Sequence, residues 1–311
     1  MRHLPKVSVI IPTYNRRHLL SKCIESVLGQ TYRNIELVVV NDCSTDGTYE
    51  FLEKLRSTYG GVKVVHNRVR RGLPYSRNVG LAVSSGELIF FSEDDLILSM
   101  DTIERLVATY LKFSKVIKVG GVTPRVILVS RNRSYLKLNY CNYVVGLMNV
   151  LTGEICYNYD VGRDSIILAM FPPATTLIPR TLFNDVGTYY IGYKINYTRE
   201  ESDLYIRALK KGYVFIYQPF AVAYHVSGFG GGCTVKNLIF NALANLHNHT
   251  IYLVRHFKSK AFLMLSVLML KKFLKALRLV NLEKLPNIIT FIDELGYRRS
   301  LFKYMSENKL L

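Results

Sequence analysis

The chain lacks the cysteine patterns that mark zinc sites and disulfide scaffolds. No two of its cysteines form a CxxC pair, and the set is odd in number and widely spaced: Cys23, Cys43, Cys141, Cys156 and Cys233. Zinc modules and small disulfide-held proteins are recognised by paired spacings or even counts. We therefore expect reduced thiols, no disulfide framework and a reducing compartment.

Long apolar runs are absent as well. None approaches the roughly 20 residues that a membrane-spanning helix needs. The apolar run near the N-terminus stops at Pro12 without a small-residue cleavage site, so no signal peptide is expected. With 311 residues, 49% hydrophobic and 21% charged, the chain is too apolar for a disordered protein. It is long enough for one large domain, or for a domain with a smaller appendage.

Acidic residues are few. The chain has 23 Asp and Glu against 41 Lys and Arg, and no acidic residue occurs from Leu204 to Leu282. Such an excess makes nucleic acids, anionic membranes and phosphate-bearing substrates candidate partners. No RNP, helix-turn-helix or zinc-finger pattern is present, and the basic residues alternate with apolar ones rather than with exposed aromatics. We therefore expect no nucleic-acid binding.

Short runs rich in Val and Ile alternate with amphipathic stretches over residues 1–100. The runs predict strands covered on both faces, and stretches such as His18–Leu28 predict helices with one apolar stripe. The order strand, helix, strand, helix indicates an α/β fold with a parallel sheet and right-handed crossovers. The predicted strands are Lys6–Ile11, Ile35–Val40, Val62–His66 and Glu87–Phe91.

The rest of the chain is less regular. A helix is expected from Asp101, with Glu104 on the far side of a capping box, whereas Thr123–Asp164 shows no clear period. A helix is predicted over Glu200–Lys211, and helices are predicted from Thr234 onward. Strands are predicted at Tyr213–Tyr217 and Ala221–His225. The first helix of the tail has one apolar side made of Ile239, Leu243, Leu246, Thr250, Leu253, Val254 and Phe257.

Polar groups follow the predicted strands, at the edge where a parallel sheet binds its ligands. The first strand leads into Pro12, Thr13 and Tyr14; we expect Pro12 to end the pairing and Tyr14 to offer a flat face to a base. Asp42 follows the second strand and could accept hydrogen bonds from the N–H edge of a uracil-type base. A turn or a helix cap alone also explains each of these residues.

Three consecutive carboxylates, Glu93, Asp94 and Asp95, follow the fourth strand. They repel one another unless a cation lies among them. Oxygen ligands favour Mg²⁺ or Mn²⁺, which also binds substrate phosphates; a solvated loop is the alternative. Arg77, on the helix before this strand, could neutralise a diphosphate.

A second acidic cluster, Glu200-Glu201-Ser202-Asp203, opens a later helix. The helix dipole alone favours acids in a first turn. A base on a separate helix, opposite a metal-bound diphosphate, is also what group transfer to a hydroxyl acceptor requires.

The ordered motifs resemble those of family 2 glycosyltransferases, which are inverting enzymes with a GT-A fold. They read VSVIIPTYNR, ELVVVNDCSTDGT, RGLPYSRNVGLAVSSGELIFFSEDD and EESDLYIRALKKGY, followed by P-x-A-x-x-x-H. The resemblance covers Val7–His225. It implies a Rossmann-like, mostly parallel sheet flanked by helices, with a sugar-nucleotide-binding half at 1–121 and an acceptor half at 122–232. The basic helical tail, 233–311, lies outside it.

The resemblance also implies roles for single residues. Glu93 and Asp95 stand in the metal-binding D-x-D with Asp94 between them, and Arg77 meets the donor phosphates. His225 could approach the metal or the diphosphate, although a core histidine bonded to backbone is at least as good an explanation. The residues implied around the nucleoside are Pro12, Thr13, Tyr14 and Asp42.

Two positions depart from the family pattern. Glu93 replaces the first Asp of the D-x-D, and Glu201 stands where the catalytic base is usually Asp. We assign Glu201 as the base, with Glu200 as the close alternative. A misplacement of ~1 Å can cost ~100-fold in rate, so this member either tolerates Glu or has altered activity. A nucleotide-sugar-binding relative with weakened catalysis is therefore one alternative.

The tail suggests where the acceptor lies. Ala261–Leu270 is almost entirely apolar and is flanked by lysines: Lys258, Lys260, Lys271 and Lys272. A basic helix with a large apolar face is typical of a membrane interface. The prediction is a peripheral enzyme at the cytoplasmic face of the cell membrane, acting on a polyprenol-linked or surface glycan. Packing on the catalytic domain, or a homodimer, would use the same apolar face.

A nucleotidyltransferase that makes sugar nucleotides is the remaining alternative. It shares the sheet and the metal chemistry, but it should have a Gly-rich basic loop after the first strand. This chain has Pro-Thr-Tyr-Asn there.

Overall fold

One mixed sheet of ten strands organises the part of the chain that the computed structural model describes, residues 4–129, 144–226, 232–233, 235, 237–278 and 285–307. The strands are β1 (Val7–Thr13), β2 (Ile35–Asn41), β3 (Val62–His66), β4 (Leu88–Phe91), β5 (Leu96–Leu98), β6 (Val119–Leu128), β7 (Val144–Val145), β8 (Ile167–Ala169), β9 (Leu177–Pro179) and β10 (Val214–His225). Their order is β3-β2-β1-β4-β9-β6-β10-β8-β7, and β5 pairs with β10.

Helices cover both faces of this sheet. Over the described residues they are α1 (Arg17–Leu28), α2 (Thr48–Thr58), α3 (Leu73–Val83), α4 (Thr102–Phe113), α5 (Arg180–Val186), α6 (Glu200–Leu209), α7 (Leu238–Phe257), α8 (Lys260–Arg278) and α9 (Leu285–Glu307). One core contains apolar side chains of α1, α2 and α4, and the other contains those of α3, α5 and α6 with α7 and α8. The predicted α/β class is confirmed.

The first half of the sheet is parallel, as predicted. β1 lies between β2 and β4, and β3 flanks β2, all in parallel. The side chains of β1, β2 and β4 are buried on both faces of the sheet except Ile35, which is half-buried, and this explains their largely apolar sequence. In β3, at the edge, Lys63 is exposed and Val64 and Val65 are half-buried. Gly80 of α3 lies directly over β1, where an added Cβ would come 2.3 Å from a methyl carbon of Ile10. The close approach of α3 to the sheet therefore requires glycine.

The second half is mixed. β9 runs antiparallel to β4 and to β6, and β10 runs parallel to β6. The two strands predicted in this part form one strand, β10, which is irregular between Gln218 and Val222. Pro219 lies in this irregularity, where the missing N–H of proline does not interrupt regular pairing.

Two local predictions were wrong. Pro12 does not end β1, which continues to Thr13 opposite Asn41 of β2. The backbone carbonyl of Ile10 points toward β4 and accepts a hydrogen bond from Ser92 N–H. The backbone nitrogen of Pro12 points to the same side, but the pairing of β1 with β4 ends at Ile10. Its missing N–H therefore costs no ladder bond.

The capping box at α4 is absent. Asp101 occupies the N-cap position without a side-chain cap bond. Glu104 instead accepts a hydrogen bond from the hydroxyl of Thr31. Glu104 therefore bonds to a residue far away in sequence and not to the backbone at the start of its own helix.

The expectation of no disulfide was wrong at Cys156, which is disulfide-bonded. Cys23, Cys43 and Cys233 are free.

The tail packs on residues within 122–232 with a face that the apolar pattern predicted only in part, at Leu253. The predicted stripe is wrong at Ile239, Leu243 and Val254, which are 58–75% exposed. The buried residues of α7 are Ala244, Asn248, His249, Tyr252 and Leu253. Polar side chains are buried there because they bond to backbone groups of residues before the tail. For example, His249 Nε2 lies 2.8 Å from the carbonyl oxygen of Thr152.

Helices α8 and α9 complete this contact. Lys271 is 4% exposed and forms ion pairs with Glu154, in the acceptor half, and with Asp293 of α9. The hydroxyl of Tyr304 donates to the carbonyl of Ala169 in β8. Within the described residues, no helix is both long and apolar enough to cross a membrane.

Candidate active site

The acidic turn after β4 is held by the end of β1. The hydroxyl of Thr13 donates to Asp94 Oδ2 at 2.7 Å. Arg16 Nη1 lies 3.1 Å from Asp94 Oδ1 and 2.6 Å from Asp95 Oδ2. Asp94 therefore faces β1, and the hydroxyl of Thr13 bonds to protein. The sequence analysis did not identify Arg16, although two arginines directly after a strand end were a usable signal.

Glu93 and Asp95 meet His225 on the other side of this turn. Ligand atoms of the three residues lie within 4.8 Å of one another. His225 Nε2 is 3.2 Å from Asp95 Oδ1 and 3.8 Å from Glu93 Oε2. The antiparallel pairing of β5 with the end of β10 sets His225 opposite Leu96, the residue after Asp95. His225 is therefore part of the acidic site and not a backbone-bonded core histidine.

Two carboxylates and one imidazole suit a divalent cation such as Mn²⁺ or Mg²⁺. Protons and ion pairs with Arg16 and His225 balance the charge of this turn. Burial raises the pKa of Asp94 to about 7, and the neighbouring Asp95 adds to the shift. Burial would lower the pKa of His225, but its hydrogen bond to Asp95 and the charge of Glu93 raise it to about 9. A cation bound here would take the place of the proton on His225, because a coordinating imidazole is neutral.

Asp42 organises the turn between β3 and α3. Its carboxylate accepts hydrogen bonds from Asn67 Nδ2 at 2.8 Å, from Arg71 N at 2.9 Å and from Gly72 N at 2.7 Å. These bonds fix the turn that opens α3. A carboxylate offers about four acceptor positions, so one remains for the predicted contact with a base.

Tyr14 directly follows β1. The guanidinium of Arg70 lies over its ring, 4.0 Å from the ring centre, so one face of the ring is already covered. Gly232, beyond β10, donates to the Tyr14 carbonyl and accepts from Arg70. Pro12, also predicted here, is buried within β1. The sequence analysis missed Arg70 because its contact depends on two loops that are distant in sequence.

Arg77 and Glu200 form a buried ion pair, and each residue is 1% exposed. The guanidinium also lies 5.9 Å from the ring centre of Phe91 and 5.2 Å from that of Tyr189. Arg77 was predicted to meet the donor diphosphate. In this structure it joins α3 to α6, and a phosphate contact would require the ion pair to open.

Glu201 is the accessible member of the second acidic pair. It is half-buried, whereas Glu200 is fully buried. Burial raises the pKa of Glu93, and the charges of Asp95 and Glu201 raise it further, against the opposing charge of His225. Arg77, which pairs with Glu200, also lies 5.9 Å from the ring centre of Phe91, two residues before Glu93. The start of α6 and the strand that leads into the acidic turn therefore contact the same arginine.

Comparison with known proteins identifies the family of this chain. Residues 8–156 match the family described as Glycosyl transferase family 2. An uncharacterized glycosyltransferase of Haemophilus influenzae is 30% identical over 178 residues, which cover 55% of this chain and 67% of that protein. This chain belongs to glycosyltransferase family 2.

Other members are similar over shorter parts. Glycosyltransferase GlyG of Streptococcus pneumoniae is 28% identical over 192 residues, which are 58% of each protein. Glycosyltransferase GlyA of the same organism is 36% identical over 116 residues, 37% of this chain and 16% of GlyA. This family 2 glycosyltransferase thus spans less than two thirds of either relative.

Solved structures share the GT-A fold. The Staphylococcus aureus TarS fragment 1–349 in complex with UDP-GlcNAc gives a TM-score of 0.58 at 18% identity, over 84% of this chain and 70% of that one. GalNAc-T7 with UDP, GalNAc and Mn²⁺ gives 0.61 at 18% identity, over 75% and 46%. At these identities the likeness defines the fold of this family 2 glycosyltransferase and not its substrate.

Proposed function

We propose that this glycosyltransferase moves a sugar, with inversion, from a nucleoside-diphosphate donor to a hydroxyl or phosphate of a lipid-linked or surface glycan, using Mn²⁺ or Mg²⁺. The observation that carries the proposal is the cluster of Glu93, Asp95 and His225, from the turn after β4 and the end of β10. Arg77 joins the start of α6, where Glu201 lies, to the strand that precedes this turn.

The donor would lie along the carboxyl edge of the parallel strands. Tyr14 and the remaining acceptor position of Asp42 would hold the nucleoside, with Pro12 and Thr13 forming the floor beneath it. TarS and GalNAc-T7 were both solved with UDP, which supports a nucleoside diphosphate as the donor class. The base and the sugar are left to experiment.

The residues that would hold the cation are Glu93, Asp95 and His225. When bound, the ion supplies positive charge that stabilises the departing diphosphate. The carboxylate of Asp94 accepts hydrogen bonds from Thr13 and Arg16 and so fixes this turn against the end of β1. Arg16 also balances the charge of Asp95.

Glu201 would act as the general base. It would take the proton of the acceptor hydroxyl as that oxygen bonds to the anomeric carbon and the bond to the diphosphate breaks. A single displacement of this kind inverts the anomeric centre. The alternative base, Glu200, is less suited because Arg77 already holds its carboxylate in a buried ion pair.

The exposed side of α8 would contact the membrane that carries the acceptor. Its apolar side chains there are 47–80% exposed and lie on one face: Phe262, Leu263, Met269, Leu270 and Phe273. The opposite face packs on the protein through Ala261, Met264, Leu268 and Lys271. Exposed apolar and basic groups side by side suit an anionic interface, and a homodimer through the same face is the alternative.

Named relatives support an acceptor of this kind. A Campylobacter jejuni protein 37% identical over 93 residues is a GalNAc(5)-diNAcBac-PP-undecaprenol beta-1,3-glucosyltransferase. A Haloferax volcanii protein 37% identical over 121 residues is a glucosyl-dolichyl phosphate glucuronosyltransferase. The proposed division keeps 1–232 as the catalytic region and 233–311 as the tail that presents this surface.

A donor screen tests the proposal. Release of nucleoside diphosphate would be measured for a panel of sugar nucleotides with Mn²⁺, with Mg²⁺ and with EDTA. We expect metal-dependent turnover of one donor class, and an acceptor-dependent product with the inverted anomeric configuration by NMR. A product with retained configuration, or activity unaffected by EDTA, would contradict it.

A further inference from the structure

The segment 194–199 leads directly into the proposed base and has an unusual backbone. Ile195, Tyr197 and Arg199 have φ angles of 69°, 55° and 79°. Positive φ is unfavourable for residues with a Cβ, and most of all for β-branched ones such as Ile195. Such a conformation persists only where the surroundings impose it.

Asn248 of α7 supplies much of that constraint. It is completely buried. Its Oδ1 accepts from Lys194 N at 3.1 Å, and its Nδ2 donates to the Lys194 carbonyl at 2.9 Å. The same Nδ2 lies 3.0 Å from Asn196 Oδ1. One side-chain amide therefore satisfies both backbone groups of Lys194, as a neighbouring strand would.

Other side chains of α7 bond to the same segment. Asn196 Nδ2 donates to Asn241 Oδ1 at 2.8 Å and to Asn245 Oδ1 at 3.0 Å. Asn241, Asn245 and Asn248 are spaced by four and three residues, so they lie on one face of the helix. This face therefore presents three amides to segment 194–199: Asn248 bonds to its backbone, and Asn241 and Asn245 bond to the side chain of Asn196.

The segment also reaches the turn that Asp42 holds. The side chain of Tyr197 packs on Gly72, where an added Cβ would come 2.3 Å from the Tyr197 oxygen. Gly72 has a φ of 90°, and its N–H donates to Asp42. Segment 194–199 thus links the turn held by Asp42 to the helix that carries Glu201.

We propose that Asn248 is a positioning residue for transfer: it holds segment 194–199 in its strained form so that Glu201 faces the acceptor hydroxyl. This inference rests on the proposed function. It makes α7, which lies outside the resemblance to the family, a part of the catalytic framework. Loss of the amide would let the segment relax, and a base displaced by ~1 Å can lose ~100-fold in rate.

The test compares Asn248→Ala with Asn237→Ala. Asn237 caps α7 by accepting from Phe240 N–H at 2.9 Å, so its loss weakens the same helix without removing a hydrogen bond that Asn248 makes to the segment. For Asn248→Ala we expect kcat for transfer to fall by ~10-fold or more, with the KM for donor unchanged. We also expect faster amide exchange in a peptide covering 194–199. Asn237→Ala should show neither change.

Three outcomes would overturn the inference. They are unchanged exchange in Asn248→Ala, an unchanged kcat, or an equal fall of kcat in both variants. Glu201→Gln separates this failure from failure of the proposed function. If Glu201→Gln keeps transfer, the assigned base is wrong. If Glu201→Gln loses transfer but Asn248→Ala does not, only the positioning role is wrong.

Discussion

The imidazole of His225 lies against the carboxylate of Asp95, with 3.2 Å between Nε2 and Oδ1. This contact joins the last strand of the sheet to the acidic turn after β4. It exists because β5, directly after the turn, pairs antiparallel with the end of β10. The end of β10 therefore completes the side-chain cluster that begins in the turn after β4.

Removal of Asp95 should abolish cation binding. Asp95→Ala takes away one carboxylate and the partner of His225, so we expect loss of the rise in melting temperature that Mn²⁺ gives the wild-type protein, together with loss of activity. Isothermal calorimetry with Mn²⁺ measures the binding directly. Asp101→Ala removes an exposed acid paired with Arg105 and serves as the control. Wild-type affinity in Asp95→Ala would disprove the site.

The acidic turn should make stability depend on pH when no metal is bound. The pKa of Asp94 is raised from 3.8 to about 7, so the folded state retains a proton that the unfolded state loses. Its favourable contribution is complete below pH ~4 and is lost as the pH rises to about 7. Thermal denaturation in EDTA should show a smaller decline between pH 5 and 7.5 for Asp94→Asn than for wild type. Parallel curves would contradict the shift.

Glu201 and Glu200 should respond differently to the same change. Glu201→Gln should lower transfer by ~100-fold or more, the usual range for loss of a general base, while donor affinity stays within twofold. Glu200→Gln should instead lower the melting temperature, because it leaves Arg77 buried without its carboxylate partner. Steady-state kinetics and thermal denaturation of both variants measure the contrast. Equal kinetic defects in two stable variants would contradict it.

Asp203 should anchor the tail to the catalytic region. It is fully buried in α6 and accepts from Arg255 Nε at 3.0 Å and from His256 Nε2 at 2.7 Å, both in α7. Burial opposes ionisation, but the hydrogen bond from His256 and the charge of Arg207 lower the pKa of Asp203 to about 2. Asp203→Asn should lower the free energy of unfolding by roughly 3–5 kcal/mol at pH 7.

The low pKa of Asp203 decides how the free energy of unfolding changes with pH. The stabilisation by its ionised carboxylate is complete above the unfolded pKa of 3.8 and is lost as the pH falls toward 2. Urea denaturation of wild type and Asp203→Asn should therefore converge between pH ~4 and ~2. A constant difference over that range would show that the ionised carboxylate is not responsible.

The exposed face of α8 should bind anionic bilayers. Phe262→Glu and Phe273→Glu place acids among exposed apolar groups, so we expect loss of sedimentation with vesicles that contain phosphatidylglycerol. Val116→Glu, at a site 77% exposed beyond the end of α4, adds the same charge elsewhere and should sediment as wild type does. Full-length protein that stays in the supernatant at low salt would disprove the membrane contact.

Local sequence was enough to predict the parallel half of the sheet. The Val- and Ile-rich runs correspond to β1, β2, β3 and β4 within two residues at each end, because strands buried on both faces must be apolar throughout. The acids after β4 and at the start of α6 were also found, since polar residues next to apolar runs mark the ends of elements. These signals lie within short windows of the chain.

Contacts between distant segments could not be read in this way. Arg16 on Asp94, Arg70 on Tyr14 and Asn248 on Lys194 each depend on how the sheet orders its strands and where the tail returns. The apolar period of α7 was right at Leu253 but wrong at Ile239, Leu243 and Val254, because the buried face also includes Asn248 and His249, which bond to backbone groups far away in sequence.

The sequence by itself determined the fold class, the two acidic clusters and the family. Only the tertiary structure decided that Glu200 pairs with Arg77 while Glu201 is accessible, that His225 lies among the acids, and that α7 bonds to the segment before Glu201. The physical reason is that periodicity and strand-end chemistry are local. Burial and hydrogen-bond partners are set by groups that only folding brings together.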